Sequence, residues 1–472
     1  MYFPRALSWL LAARSLVSGA SPAVLSYDVD FVPNANNLAR RTTNVVDLTI
    51  QTSLLSHEAP IQMGTPPQNL TVMFSMTSAD TWVNSATAWL CKSGGCTKYG
   101  AYNSGASSTY RSLSSDFNMP LSDGTVSGNW ITETLTLGNT GVTISGQQMG
   151  LALTTASDRG FIGLGYPAST TKGNGSYPTL LDQMVSQGRI KSPAYSLYMN
   201  AQRSKSGTIL FGGVDTTKFS GQLVKLDVVR PTGNPSTITQ PSITLTGLSY
   251  GNQALSSGTN YTIIISPETS FTYLPRPLIT ALAVAVNATF VSQYGMYTLP
   301  CPSTTDPRFI TFTFSSAKIM VPIRELAFKD GVSGPCYLGV NQTRPGYPNF
   351  LGVSFLRSAY VVFDLARNTI SLAQAVVNAT SAANVLEIDD SPSPAAVTAV
   401  GQPAPPPPSG DFDVPVGDDS EGHGSKSGLA PGVIAGVVCG SLSVAVLGAF
   451  GALSFWRRRS RQRRKLETKL AD

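Results

Sequence analysis

The stretch VMFSMTSADTW at residues 72–82 has a partner far down the chain, IIISPETSFTY at 263–273. Each begins with three apolar residues, then a serine, Ser75 or Ser266. A polar turn with Ser78 or Thr269 follows, and then an aromatic. Downstream of each comes an apolar-apolar-Gly signature, Phe161-Ile162-Gly163 and Phe350-Leu351-Gly352. Gly163 follows Ser75 by 88 residues and Gly352 follows Ser266 by 86. Near-equal spacing predicts two lobes of one plan, since an internal repeat is one supersecondary design used twice.

The segments around these repeats are short β-type runs broken by Gly, Ser, Asn and Pro, such as TETLTLG, GTILFGG and YVVFDLARNTISLA. One helix is expected within YPTLLDQMVSQG (177–188), with Leu180, Leu181, Met184 and Val185 on one face. With 42% hydrophobic and 13% charged residues, the chain suits a turn-rich β protein of the exterior. Its 472 residues suffice for two or three domains. A mostly β, bilobal fold follows, with an N-terminal lobe at 45–220 and a C-terminal lobe at 221–375.

The ends of the chain carry a different signal. A short apolar run, Ala6 to Ala13, follows Arg5, with small residues at Ser18 and Ala20, which predicts a secretory signal over 1–20. Residues 21–44 are read as a short pro-segment or extension, with Arg40-Arg41 as a dibasic cleavage candidate. The Pro- and Asp-rich stretch 376–430 is read as an extended stalk, and His423 lies in it. Residues 432–456 carry no charge and exceed the ~20 that a bilayer-spanning helix needs. A transmembrane helix is therefore expected over 431–456. The tail 457–472 holds six Arg and two Lys against one Glu and one Asp, which accounts for the whole formal charge of +6. Everything before the tail sums to zero, so the basic character belongs to the tail and nucleic-acid binding by the folded part is not suggested. The basic tail predicts a type I orientation at the plasma membrane or cell surface, with the tail in the cytoplasm. Gly432, Gly436 and Gly440 lie at four-residue spacing, a helix-packing pattern that gives a limited case for a homodimer. Cys439 inside the span is read as a small packing residue.

Asn-x-Ser/Thr sequons at Asn69, Asn174, Asn260, Asn287, Asn341 and Asn378 are glycosylation candidates. Four of the five cysteines form two local sets, Cys91/Cys96 and Cys301/Cys336, as suits an oxidising compartment.

These features together resemble the pepsin-like aspartic proteases, especially fungal membrane- or wall-anchored members. The matching motifs are MGTPPQNLTVMF (63–74), SSTYRSLSSDF before the flap hairpin, GFIGLGYP, PTLLDQMVSQGRIKSPAYSLYMN, GTILFGGVDTTKFSG and FLGVSFLRSAYVVFD. They occur in the family's order and span about 45–375. The resemblance implies a cleft between the lobes and disulfides Cys91–Cys96 and Cys301–Cys336. It also implies a catalytic pair of carboxylates, one per lobe, each opening an Asp-Thr/Ser-Gly turn. Two such carboxylates share a proton, so that one serves as base toward water and the other as acid toward the carbonyl.

At the implied positions this chain reads Ser75-Met76-Thr77 and Ser266-Pro267-Glu268, and Leu121 stands where the flap tyrosine is expected. The family's pro-segment usually carries a Lys that neutralises the pair, yet no Lys precedes Lys92. A neutral hydroxyl is no substitute for a carboxylate base. A serine nucleophile needs its own base, most often His. The only candidate in the folded part, His57, sits on an expected strand and is read as structural. Asp80 and Asp123 match family positions outside the pair, which leaves Glu268 as the one new acid near the centre. The expectation is a non-cleaving homologue that binds a peptide, a surface protein or a wall polymer in its cleft, without metal or cofactor. The alternative is an endopeptidase with an unusual active site.

Overall fold

The structure, a computed structural model, describes residues 25–28, 49–51, 56–121, 124–138, 141–172, 177–202, 207–231, 236–303, 305–329, 334–379, 381 and 383–388. The expected signal, the membrane span with Gly432, Gly436, Gly440 and Cys439, the basic tail, His423, Asp123 and Asn174 all lie outside these residues. Most of the expected stalk does too. Among the described residues, no helix is long and apolar enough to cross a membrane.

The repeat seen in the sequence is a repeat in topology. In the N-terminal half, the strand Gln68–Ser75 runs parallel to Phe161–Gly163, with Ser75 in register with Gly163. Trp82–Asn84 pairs antiparallel with Phe161 on its other side and parallel with Thr143–Thr154. In the C-terminal half, Tyr261–Ile265 runs parallel to Asn349–Leu351, with Ile265 opposite Leu351. There, Thr272–Leu274 pairs antiparallel with Phe350 and parallel with Val340–Gln342. Both units therefore place the strand that ends in, or just before, the serine beside the strand that leads to the glycine.

Each glycine is required by close approach. A Cβ on Gly163 would lie 2.3 Å from the carbonyl carbon of Ala79, and one on Gly352 would lie 2.2 Å from the carbonyl oxygen of Phe271. Each glycine N–H donates to a threonine hydroxyl of the turn it abuts, Gly163 to Thr81 Oγ1 (3.1 Å) and Gly352 to Thr272 Oγ1 (3.3 Å). Both threonines are buried, so these bonds satisfy groups that would otherwise be stranded.

Larger sheets extend each unit. An eight-stranded sheet built on residues 49–163 forms the N-terminal lobe, and the hairpin Arg111–Leu121/Gly124–Leu137 runs out from its edge. The C-terminal lobe has a five-stranded sheet and two four-stranded ones. Val, Ile, Leu and Phe fill these strands at alternate or continuous positions. Ile263, Ile265, Leu351, Phe312 and Val361 are fully buried, and each such side chain contributes about 1.5–3 kcal/mol. A six-stranded sheet draws from both halves: Ala194–Tyr198, Thr208–Phe211 and Phe219–Asp227 with Ala359–Asp364, Thr369–Ala375 and Leu25–Asp28.

Three boundaries differ from the sequence reading. The division at residue 220 passes through the strand Phe219–Asp227, which hydrogen-bonds to Thr369–Ala375 and so belongs to the shared sheet. Leu25–Asp28, read as part of an extension, pairs antiparallel with Thr208–Phe211. The folded body does not end at 375: Val385–Glu387 pairs with Gly213–Asp215, and Ile388 is buried against Val214 and its neighbours. Residues 376–388 are themselves largely apolar, and the Pro- and Asp-rich stretch that follows masks them when 376–430 is read as one segment.

The expected helix forms over Leu180–Ser186, burying Leu180, Leu181 and Met184. Thr179 and Asp182 close its N-terminus in a reciprocal capping box. A longer helix, Arg276–Ala285, was not expected; Pro277 starts it and Leu278, Ile279, Leu282 and Ala283 form its buried face. Both implied disulfides are formed, Cys91–Cys96 and Cys301–Cys336.

Candidate functional site

The strand Gln68–Ser75 delivers Ser75 to the end of the N-terminal sheet, where the chain must turn. Ser78 N–H donates to Ser75 Oγ at 3.1 Å, and Leu164 N–H donates to the Ser75 carbonyl at 2.7 Å. Asp80 anchors the far side of this turn. Its Oδ2 accepts the Thr171 N–H at 2.7 Å, and its Oδ1 accepts the Tyr177 hydroxyl. Burial and the Asp80 charge raise the Tyr177 hydroxyl far above its ordinary pKa, so it remains a donor. Asp80 is thus fully engaged in holding the loop.

The C-terminal turn is built likewise. Ser266 N–H donates to the Leu351 carbonyl at 3.1 Å, and Val353 N–H donates to the Thr269 carbonyl at 2.9 Å. Ser266 Oγ and Thr269 Oγ1 share a hydrogen bond of 2.9 Å. Ser75, Met76, Ser266 and Pro267 are buried, while Thr77 and Glu268 are half-buried.

Glu268 joins the two turns. Its Oε1 reaches into the N-terminal turn and accepts from Ser75 Oγ (2.7 Å), Met76 N–H (2.5 Å), Thr77 N–H (3.0 Å) and Thr77 Oγ1 (3.1 Å). Its Oε2 accepts from Ser266 Oγ at 2.8 Å. Successive backbone N–H groups that converge in a turn form a small anion-binding concavity, and here the protein's own carboxylate occupies it. Charge-assisted bonds of this kind are about twice as strong as neutral ones. Beneath the site, burial and then the Glu268 charge push the Tyr195 hydroxyl well above its ordinary pKa, and it donates to the Leu164 carbonyl at 3.2 Å.

The sequence singles out Ser75, Met76, Thr77, Ser266, Pro267 and Glu268, and the structure brings all six together. It does not anticipate that Glu268 crosses between the lobes, nor that Tyr177 pins Asp80. The only local signal was an acid two residues after Ser266. His57 joins neither serine. It is buried on the strand Ser56–Met63, and neither ring nitrogen makes a hydrogen bond among the described residues. Burial, aided by the Arg357 charge, lowers its pKa to about 3, so it is neutral at ordinary pH.

Leu121 lies at the tip of the Arg111–Leu121 strand, opposite Gly124, and packs against a cluster of Trp82, Phe117, Met119 and Trp130. Among the described residues, buried Trp82 Nε1 has no hydrogen-bond partner. An apolar side chain at 121 has no hydroxyl to offer it. Among the described residues no group of three or more His, Cys, Asp or Glu side chains could hold a metal ion. Of the described sequons, Asn69, Asn260, Asn287 and Asn378 are exposed. Asn341 is buried, and its Nδ2 donates to the Gly295 carbonyl at 2.7 Å.

Comparison with known proteins gives this geometry its context. Residues 56–375 match the family described as eukaryotic aspartyl protease. The chain is 34% identical over 395 residues to a probable aspartic-type endopeptidase opsB of Aspergillus fumigatus, an alignment that covers 79% of this chain and 80% of the relative. It is 33% identical over 350 residues to secreted aspartic protease 8 of Candida albicans, covering 72% and 81%. It is 35% identical over 324 residues to aspartic proteinase 3 of Saccharomyces cerevisiae, covering 65% and 56%. With the paired units, the shared sheet and the two disulfides already in hand, the chain belongs to the eukaryotic aspartyl protease family.

Proposed function

We propose that this family member does not cleave peptides and acts as a membrane-anchored, extracellular binding module. In this reading Ser75 and Ser266 stand where the family's two catalytic aspartates would be. The observation that carries it is the Glu268 carboxylate, which bonds to both serines and to the N-terminal turn. A two-carboxylate mechanism needs paired acids whose pKa values are split, one protonated and one ionised. Among the described residues, the one carboxylate that joins these turns is surrounded by the neutral hydroxyls of Ser75, Thr77 and Ser266. Its Oε1 faces donors of the N-terminal turn, which leaves it poorly placed to hold and deprotonate a water.

The cleft would then bind a peptide, a surface protein or a wall polymer. The packing supports this, since residues of both halves, Met76 among them, join one buried apolar cluster that holds the two turns in place. The signal, the uncharged 432–456 stretch and the basic tail support a type I cell-surface placement. Exposed sequons at Asn69, Asn260, Asn287 and Asn378 support glycosylation, and Gly432, Gly436 and Gly440 offer a face for self-association.

The second reading is an endopeptidase with an unusual centre, favoured by the names of the relatives. The separating experiment incubates purified ectodomain with denatured protein from pH 2 to 7, with and without a transition-state-like aspartic protease inhibitor. No inhibitor-sensitive cleavage supports the binding module, whereas such cleavage supports the enzyme. Capture from cell-surface extract by the ectodomain then identifies the ligand.

A further inference from the structure

We propose that Asn69 carries an N-linked glycan and that its first N-acetylglucosamine lies in the groove beside it, bridging the strand Gln68–Ser75 to the loop after the Cys91–Cys96 disulfide. This rests on the extracellular reading above.

Asn69 is exposed, and Asn69-Leu70-Thr71 is a sequon. Its Oδ1 accepts from Gln62 Nε2 at 3.0 Å, which fixes the amide plane. Nδ2, the atom a glycan joins, makes no hydrogen bond among the described residues. Asn341 is the opposite case, because its Nδ2 is buried and donates to a carbonyl.

Asn69 itself lines a groove of about 480 Å³, together with Pro60, Gln62, Thr97, Lys98 and Tyr99. That volume falls within the ~300–1,000 Å³ of small-ligand sites. The lining offers Pro60 to the C–H face of a pyranose, and the Gln62 and Thr97 oxygens as acceptors and the Lys98 ammonium as donor to its hydroxyls. The far wall is tied to the strand by a backbone hydrogen bond. Thr71 N–H donates to the Tyr99 carbonyl at 2.7 Å, and Lys98 Nζ lies 4.8 Å from the centre of the Tyr99 ring. In the transfer, Asn69 Nδ2 loses a proton to the transferase and bonds C1 of a lipid-diphosphate-linked oligosaccharide. The C1–O bond breaks and the lipid diphosphate leaves.

The test uses the full chain expressed in a secretory host, and Asn69→Gln and Thr71→Ala as two independent ways to remove the sugar. Glycopeptides are mapped by mass spectrometry, and an endoglycosidase trims each glycan to one N-acetylglucosamine. We expect sugar at Asn69, slower hydrogen exchange over residues 97–100 in the trimmed protein than in either variant, and a Tm higher by about 2 °C. Bare Asn69 with sugar at Asn260, Asn287 or Asn378 overturns this inference alone. Bare asparagine at every sequon overturns it and the extracellular reading together. Sugar at Asn69 with unchanged exchange and Tm overturns the seating in the groove.

Discussion

The carboxylate of Glu268 and the hydroxyl of Ser75 meet at 2.7 Å although 193 residues separate them in the chain. A single side chain from the C-terminal lobe thus completes the hydrogen bonding of the N-terminal turn. The relationship is a tie between lobes made with one charge.

Breaking this tie should cost stability. Glu268→Ala leaves the Met76 and Thr77 N–H groups and the Ser75 hydroxyl without their acceptor, while Ser266 Oγ keeps its bond with Thr269 Oγ1. Because Glu268 is half-buried, water recovers part of the loss, and we expect about 1–3 kcal/mol. Urea unfolding of the ectodomain measures this, and faster amide exchange at Met76 and Thr77 should accompany it. A double cycle with Ser75→Ala should show non-additivity, since the two residues share a bond.

Placing aspartates at the two serines alone should not create an enzyme. Ser75→Asp with Ser266→Asp would place two carboxylates around the existing one, and like charges this close cannot all ionise. We expect no cleavage and lower stability near neutral pH. Converting each whole turn to Asp-Thr-Gly also removes Glu268, Met76 and Pro267, and cleavage of denatured protein at acid pH is expected only from that variant.

Acid should weaken the fold through His57. Its pKa is about 3 in the folded chain against 6.5 for the free side chain, because burial and then the Arg357 charge disfavour the cation. Arg357 is itself buried, which lowers its pKa to about 10, with the Glu325 charge opposing that shift. Between pH 6.5 and 3 the unfolded state binds the proton and the folded state does not. The stabilisation is therefore complete above pH 6.5 and is lost as pH falls toward 3, at up to about 1.4 kcal/mol per pH unit. The urea midpoint of the wild type should fall between pH 7 and pH 4.5 more than that of His57→Leu. Equal falls would remove His57 from this role.

The two disulfides should contribute unequally. Cys301–Cys336 closes 35 residues of sequence separation and Cys91–Cys96 closes 5. Loop-closure entropy gives about 4 kcal/mol for the first and about 2 kcal/mol for the second. Cys→Ser pairs at each site, compared by chemical unfolding, check the order.

Much of this architecture was legible because it repeats. Apolar runs ending near Ser75 and Ser266, and glycines at matching distances, encode close backbone approaches that only glycine permits. Other elements were hidden for physical reasons. The strand Val385–Glu387 is three residues beside a Pro- and Asp-rich stretch, and pairing with Gly213–Asp215 makes it a strand. The helix Arg276–Ala285 resembles a β run in composition, yet its buried residues follow a helical spacing that begins at Pro277. Glu268 was legible as an acid near the centre. Its reach to Ser75 depends on how two lobes meet, and no local pattern reports that.

The central claim is that one carboxylate held between two alcohols does not hydrolyse peptide bonds. The most direct test is mass-spectrometric detection of products from a denatured protein incubated with purified ectodomain from pH 2 to 7, beside the Glu268→Gln and Ser75→Ala variants. The account requires the same background in all three. Product formed by the wild type and lost in either variant would contradict it.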